Sequence, residues 1–268
     1  MASESDFDAV CADLVAEALD LQRLLEPLPG SAWGTLTPSP GWTISHQISH
    51  LMETETHMLE AIRDPATFRM QAADYSTEPA VDVFKIGTDE YSREVLTGWT
   101  RSRTQLDKAL ADLEGRSRIP WFGPSMSAMT AASSRVMEVW AHGQDIADSL
   151  GISRARTSRI RHVAHLGVVA RKYSYTVHGL NPPSDPVHVS LIAPDGTTWQ
   201  WGPESSPQRV TGSAWDFSLL VTRRRHRDDC ELFAKGAEAD EWLDIAQAFA
   251  GAPGPGRQPK STSQIDPL

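Results

Sequence analysis

The sequence predicts an α+β fold in which a four-helix bundle is followed by a smaller α+β domain. Its 268 residues are enough for two modest domains, each with a core of its own. Apolar residues recur at helical spacing in four successive segments before Gly151, which is typical of a helical bundle. After Gly151 the pattern changes to one helix followed by short segments with strand character. We therefore expect domains at 1–152 and 153–250 and a tail at 251–268.

The bundle helices are expected at about 6–26, 44–63, 81–113 and 125–150. Thr43 can cap the second of these helices, and Asp64-Pro65 follows its end. Ser125 or Ser127 can cap the fourth, which ends before Gly151.

The second domain is expected to mix helices with short strands. Its helices are predicted at about 157–177, 214–222 and 240–249, and its strands at 187–192, 197–201, 209–211 and 231–234. The first two strands flank Pro194-Asp195-Gly196 and should form a hairpin. The tail opens with alternating glycine and proline and has too little apolar content to pack, so we expect residues beyond about Arg257 to be mobile.

Composition excludes several classes of partner. A formal charge of −10 and a pI near 5.3 disfavour nucleic acid, because phosphate binding depends on lysine and arginine. Cys11 and Cys230 cannot build a disulfide framework or a thiolate metal site, which fits a reducing cytoplasm. The first residues lack the basic and apolar blocks of a secretory signal, and no apolar run is long enough to span a membrane, so we expect no membrane partner. We expect a small-molecule substrate and a monomer or homodimer.

Glu138 and His142 are four residues apart in the fourth predicted helix, so a carboxylate and an imidazole share one helix face. This spacing suits metal chelation. The second predicted helix carries His46 and His50, so a neighbouring helix can supply a third ligand. The remaining coordination positions would then be open for water or substrate.

Periodicity alone favours a simpler interpretation of these polar residues. Glu138, His142 and Asp145 form a stripe away from the apolar arc of their helix, and the stripe of His50 is also offset from its apolar face. Most polar helical stripes face water. The alternative is that the two stripes meet at the margin of the bundle, in a cleft covered by the second domain or by the loop around Trp121.

Several segments together resemble a known superfamily. They are the helix start PGWTI at 40–44 followed by His50, the loop IPWFGPSMS at 119–127, and RVMEVWAHGQD at 135–145. In that order they are similar to the DinB-like metalloproteins, within them to the mycothiol-dependent maleylpyruvate isomerase family. WAHGQD at 140–145 and TGSAWDF at 211–217 resemble a two-domain actinobacterial subgroup. The resemblance covers nearly the whole chain except the tail.

The resemblance implies a metal site. Proteins of the family hold the metal with a histidine from the second helix and a glutamate and a histidine from the fourth, which match His50, Glu138 and His142. This donor set suits zinc, although nickel, manganese or iron can use the same ligands. His46 is a candidate to replace or orient His50, and Asp145 to accept the second imidazole N–H of a ligand. The catalytic residues are unknown.

The resemblance also implies a reaction. Mycothiol, a low-molecular-weight thiol, would be activated by the metal and attack an electrophile, giving isomerisation or thiol transfer. Arg223 and Arg225 are candidates for binding an acidic substrate. Trp121 is the preferred pocket residue among Trp42, Trp121 and Trp140. Two alternatives stay open: a thiol-independent metal-dependent hydrolase, lyase or cyclase, and a non-enzymatic metal or ligand-binding protein.

Overall fold

The structure is a computed structural model of the protein and describes residues 4–72 and 81–260. The chain divides into two compact units, with the boundary in sequence between Arg154 and Ala155. Within the described ranges, no helix is long and apolar enough to cross a bilayer.

The first unit is built from long helices. Its elements are α1 (Glu4–Leu25), α2 (Ile44–Arg63), α3 (Pro65–Gln71), α4 (Asp89–Ala111), β1 (Arg118–Ile119), β2 (Met126–Ser127) and α5 (Ala128–Leu150). Helices α1 and α2 each pack against both α4 and α5, around a core that includes Trp33 and Trp99. The predicted four-helix bundle is confirmed, with α1, α2, α4 and α5 as its four long helices.

The ends of the helices that carry the candidate ligands follow the expected capping chemistry. The backbone of α2 begins after Thr43, whose side chain and backbone both contact His46 in a capping box. Helix α5 begins after Ser127, whose hydroxyl accepts a hydrogen bond of 3.1 Å from the backbone N–H of Thr130. It ends at Gly151, which adopts a left-handed conformation (φ 66°).

One helix start in the first unit differs from prediction, and one short helix, α3, was not predicted. The third long helix starts at Asp89, not at residue 81, because Gly87 has a positive φ (89°) and Thr88 caps the helix by accepting from the N–H of Tyr91. Asp64 and Pro65 follow the end of α2 and also begin the short helix α3. Asp64 also accepts from the N–H of Thr67, and Pro65 is the first residue of α3.

The second unit contains a mixed sheet. Its elements are α6 (Ile160–Val169), α7 (Arg171–Val177), β3 (Val187–Ile192), β4 (Thr198–Trp201), β5 (Gln208–Ser213), α8 (Ala214–Val221), β6 (Leu232–Lys235) and α9 (Ala237–Ile245). The strand order is β4-β3-β5-β6, in which β3 and β5 are parallel and the other pairs are antiparallel. Helix α8 packs on β3, β5 and α6, and α9 packs on β5, β6 and α7. The expected α+β fold class is confirmed.

The helices of the second unit also have different limits from those predicted. The helix expected at 157–177 is two helices, α6 and α7, separated at Ala170, and α9 spans 237–245 rather than 240–249. The expected tail lies partly outside the described residues, which end at Lys260. Within the described part, the N–H of Lys260 donates to Asp229 (3.0 Å) and the guanidinium of Arg223 approaches the carbonyl of Gly254 (3.4 Å).

Candidate metal centre

Three side chains from two helices converge at one point in the first unit. His50 comes from α2, while Glu138 and His142 lie one turn apart on α5. Oε2 of Glu138 is 3.2 Å from Nε2 of His142 and 3.7 Å from Nε2 of His50. One ligand atom from each residue lies within 4.8 Å of the others, and no second group of this kind occurs among the residues that the structure describes. The arrangement can hold a divalent cation.

The three side chains are largely shielded from solvent. His142 is 8% exposed, and the side chains of His50 and Glu138 are 21% and 20% exposed. The solvated faces that periodicity alone favours are therefore not found. The reason is that α2 packs against α5, which brings the two polar stripes together within the bundle.

Trp42 forms an aromatic wall on this cluster. Its ring is 5.2 Å from the ring of His50 and 6.0 Å from that of His142, to which it is nearly parallel (17°). A turn closed by a 3.0 Å hydrogen bond from the N–H of Trp42 to the carbonyl of Ser39 precedes it, with Pro40 and Gly41 (φ 80°) at its centre. Proline and glycine are favoured at the two central positions of a type II turn, so the local sequence itself determines where the backbone places Trp42.

A chain of buried hydrogen bonds lies behind His142. Nδ1 of His142 is hydrogen-bonded to Oε1 of Gln47, a fully buried residue of α2. Nε2 of Gln47 donates to Oγ1 of Thr37 (2.8 Å), which in turn donates to the carbonyl of Trp42 (2.9 Å). Sequence reasoning missed Gln47 and Thr37. The available signal was the position of Gln47, one turn before His50 on the same helix face.

The charge of Glu138 is balanced from two sides. Burial acts to raise the pKa of Glu138, but the contacts with His142 and His50 and the charge of Arg135 outweigh burial and hold the pKa well below its usual value. Nη2 of Arg135 is 4.0 Å from Oε1 of Glu138, so the oxygen that faces the histidines is Oε2. The carboxylate is thus ionised, as a metal ligand must be.

His46 and Asp145 have hydrogen-bond partners of their own near the three converging side chains, and their predicted roles beside the ligands stay predictions. Nδ1 of His46 lies 2.8 Å from Oγ1 of Thr43, and it accepts from the N–H of the same residue, so this ring closes the start of α2. Asp145 is fully buried and accepts a 3.0 Å hydrogen bond from the hydroxyl of Ser39. Nδ1 of His142 is hydrogen-bonded to Oε1 of Gln47.

Comparison with known proteins assigns this architecture to a family. The model of the mycothiol maleylpyruvate isomerase N-terminal domain matches residues 14–147, half of the chain, and includes all three converging residues. The chain belongs to this isomerase family. Two uncharacterized proteins from two strains of Mycobacterium tuberculosis are each 46% identical to it over 249 residues, covering 92% of this chain and 97% of the relative.

Solved structures support the family's fold. A crystal structure of the mycothiol-dependent maleylpyruvate isomerase matches with a TM-score of 0.56 at 16% identity, covering 87% of this chain and 95% of the other. A histidine-to-alanine mutant of that isomerase matches with a TM-score of 0.55 over the same shares. Separately, residues 183–235, which contain β3 to β6, match a model described as wyosine base formation.

Trp121 is placed differently from Trp42 in this member of the isomerase family. It stacks on Phe68 (5.8 Å, 10°), and Cζ of Arg135 lies 5.8 Å from its ring centre. Trp121 therefore contacts Arg135, which lies near Glu138, whereas the ring of Trp42 contacts those of His50 and His142 directly. The role of Trp121 as a pocket residue stays a prediction, and Trp42 is a further candidate because its ring contacts two of the three converging side chains. Trp140 is buried in the first unit, and its carbonyl accepts from Arg154.

The arginines singled out from the sequence lie in the second unit. Arg223 and Arg225 line a cavity of about 250 Å³ together with Arg227 and Arg257. Arg223 has a positive φ (59°), which is unusual for a residue other than glycine. Arg227 is paired with Asp240 and Asp244, so the cavity is cationic but partly neutralised.

The two cysteines of this isomerase-family protein are free thiols with low reactivity. Burial, assisted by nearby carboxylates, raises the pKa of Cys11 to about 11 and that of Cys230 to about 12. Neither thiol is a thiolate near neutral pH.

Proposed function

We propose that this protein is a metal-dependent enzyme of the mycothiol-dependent isomerase or transferase type. The observation that carries the proposal is the convergence of two imidazole nitrogens and one carboxylate oxygen within 4.8 Å. Tetrahedral bonds of about 2.1 Å place ligand atoms about 3.4 Å apart. The separations of 3.2 and 3.7 Å around Oε2 of Glu138 fit that requirement.

The donor set favours zinc as the resident ion, with nickel, manganese or iron as alternatives. A divalent ion held by His50, Glu138 and His142 supplies Lewis acidity, which lowers the pKa of a coordinated thiol or water and polarises a carbonyl group. Three protein ligands leave at least one position for a reactant. The Trp42 ring shields the histidines on one side, so a reactant would enter a partly dry site.

The attacking thiol is proposed to come from outside the protein. The raised pKa values of Cys11 and Cys230 make both poor nucleophiles, and neither belongs to the converging group. Mycothiol is the thiol named for the family. Addition of its thiolate sulfur to an activated double bond, rotation about the resulting single bond and loss of the thiolate would isomerise the substrate. Protonation of the neighbouring carbon instead would retain the new C–S bond, which is thiol transfer. The reducing cytoplasm is the compartment proposed for this chemistry.

Arg223 and Arg225 are proposed as the groups that bind an acidic portion of the substrate. Both line the cationic cavity of the second unit. A planar guanidinium suits a carboxylate because it donates two parallel hydrogen bonds. A small unsaturated acid is therefore the first class of electrophile to assay, beginning with maleylpyruvate itself.

Metal analysis of the purified protein is the first test. We expect roughly one transition-metal ion per chain in the wild type and a large loss in His142→Ala. His162→Ala, in helix α6 of the second unit, is the matched control and should retain the metal. Circular dichroism checks that each variant is folded. Equal trace amounts of metal in all three proteins would contradict the proposal.

Turnover then separates the alternatives. The metal-loaded protein is assayed with maleylpyruvate and related unsaturated acids, with and without mycothiol. Turnover that requires the thiol supports the isomerase or transferase, and turnover without it selects a hydrolase, lyase or cyclase. A bound ion with no turnover under either condition selects a non-enzymatic binding protein.

A further inference from the structure

Gln47 is a polar residue buried between the two helices that carry the converging side chains. It has no exposed surface, and its side-chain oxygen and nitrogen have different partners. The oxygen meets Nδ1 of His142, and the nitrogen meets Oγ1 of Thr37 at 2.8 Å. Both the oxygen and the nitrogen of this buried amide are hydrogen-bonded. Reversing the amide is costly, because its N–H group would then face another hydrogen-bond donor.

The partners of Thr37 determine which atom donates in each hydrogen bond between Trp42 and His142. The hydroxyl hydrogen of Thr37 points to the carbonyl of Trp42 (2.9 Å), which can only accept, so Oγ1 of Thr37 is left to accept from Gln47. The amide nitrogen of Gln47 therefore faces Thr37, and its oxygen faces His142. Because that oxygen is only an acceptor, Nδ1 of His142 must carry the hydrogen.

This assignment has a consequence at the other ring nitrogen. In the neutral ring with hydrogen on Nδ1, Nε2 carries a lone pair, and it lies 3.2 Å from Oε2 of the Glu138 carboxyl group. Two acceptors at that distance repel each other unless a cation lies between them. The same oxygen is 3.7 Å from Nε2 of His50. The buried amide thus holds His142 in the form that binds a metal.

We propose that Gln47 is a positioning residue that sets His142 as the Nδ1-protonated tautomer and turns its Nε2 lone pair toward the cation site. The inference rests on the proposed metal-dependent function, which it deepens. Trp42 assists, because its ring is nearly parallel to that of His142 and its carbonyl ends the hydrogen-bond chain. An outer partner of a metal-bound histidine typically changes metal affinity by 10–100-fold.

The test compares Gln47→Leu with Gln47→Glu by competition with a chelator for Zn²⁺. Leucine removes the acceptor, so we expect zinc affinity to fall by about 10–100-fold. Glutamate keeps an acceptor oxygen opposite Nδ1, so affinity should stay within a few-fold of wild type or increase. Ser45→Ala is the matched control, since it removes a buried side-chain hydrogen bond to the carbonyl of Trp33 on the same helix. It should bind zinc like the wild type.

A second measurement reads the tautomer without metal. Two-bond ¹H–¹⁵N correlation spectra of metal-free protein at about pH 9, above the ordinary imidazole pKa of about 6.5, are assigned by loss of one ring in His142→Ala. We expect hydrogen on Nδ1 in the wild type and in Ser45→Ala, and a mixture of tautomers in Gln47→Leu.

The outcomes keep this inference apart from the proposed function. Equal zinc affinity in the wild type and Gln47→Leu, or hydrogen on Nε2 of His142 in the wild type, would overturn the role of Gln47 while leaving the metal site intact. Loss of affinity in Ser45→Ala equal to that in Gln47→Leu would reduce the effect to general packing and overturn the inference as well. A wild type that binds no zinc would instead contradict the proposed function. The spectra would still show whether Gln47 sets the tautomer of His142.

Discussion

At the scale of single residues, Glu55 is a carboxyl group buried on the same helix as His50. Burial raises its pKa from 4.5 to about 8, against the opposing hydrogen bonds with Ser102 and Trp99. Its Oε1 lies 3.1 Å from the indole nitrogen of Trp99, and its Oε2 lies 3.0 Å from the hydroxyl of Ser102. That hydroxyl also donates to the carbonyl of Trp99 (2.9 Å). A protonated Glu55 therefore satisfies this network, because it can donate to Ser102.

This arrangement predicts that Glu55→Gln stabilises the protein at alkaline pH. A folded-state pKa raised above the unfolded value gives stability that is complete below about pH 4.5 and is lost as pH rises through about 8. Glutamine stays neutral and donates to Ser102 in the same way, so the advantage of the variant should grow across that window to more than about 1 kcal/mol. Urea unfolding from pH 5 to 9 measures it. Exposed Glu60→Gln is the control, and parallel stability curves for wild type and Glu55→Gln would contradict the prediction.

The residues of the candidate centre differ in how far the sequence reveals them. Glu138 and His142 follow from a four-residue spacing on one helix, and His50 from a second helix together with the family resemblance. Gln47 shares a helix face with His50, which marks its position, but its contact with His142 could not be predicted because that contact depends on where α2 meets α5. Trp42 carries a local signal in the turn formed by Ser39, Pro40 and Gly41, but the contact of its ring with two histidines is tertiary.

At the scale of elements, the start of α5 is the clearest place to test a local rule. The sequence left Ser125 and Ser127 as equal candidates for the cap, and the hydroxyl of Ser127 is the one that accepts from Thr130. We expect Ser127→Ala to lower the free energy of unfolding by about 1 kcal/mol, while Ser125→Ala changes it by less than about 0.5 kcal/mol. Chemical denaturation of both variants measures this. Equal losses would mean that the cap is not local to Ser127.

The same two variants should leave zinc affinity unchanged within a few-fold. The cap lies about three turns of α5 before Glu138 and about four turns before His142. Among the residues that the structure describes, the Ser127 side chain is hydrogen-bonded to Thr130 and to none of the converging side chains. A fall in affinity that accompanied the loss of stability in Ser127→Ala would show that the position of the ligands depends on the helix start.

Element boundaries show which signals outweigh periodicity. Apolar spacing extended the third long helix back to residue 81, but Thr88 followed by Asp89 and Glu90 is a helix-start signature, and Gly87 adopts a conformation that helices exclude. In the second unit the fold class is predictable from short strands and turns. The parallel pairing of β3 with β5 is not, because β4 lies between them in sequence but on the other side of β3 in the sheet, so neither strand's own sequence specifies the pairing.

At the scale of the whole molecule, metal binding should appear as stability. A ligand that binds only the folded state at about 100 times its dissociation constant adds about 2.7 kcal/mol. For domains of 150–250 residues, 1 kcal/mol shifts the melting temperature by about 2–4 °C, so saturating Zn²⁺ should raise it by roughly 5–10 °C. All three proposed ligands lie in the first unit, so the gain belongs to unfolding of residues up to Arg154.

Differential scanning calorimetry with a chelator or with excess Zn²⁺ tests this linkage. We expect the zinc-dependent shift in the wild type and its near absence in His142→Ala, because the variant keeps the bundle but lacks one of three ligands. His162→Ala should shift like the wild type. If the units unfold in separate transitions, only one of them should respond to zinc. An equal shift in melting temperature in the wild type and His142→Ala would mean that zinc stabilises the chain through another site. The proposal that the three converging side chains bind zinc would then be wrong.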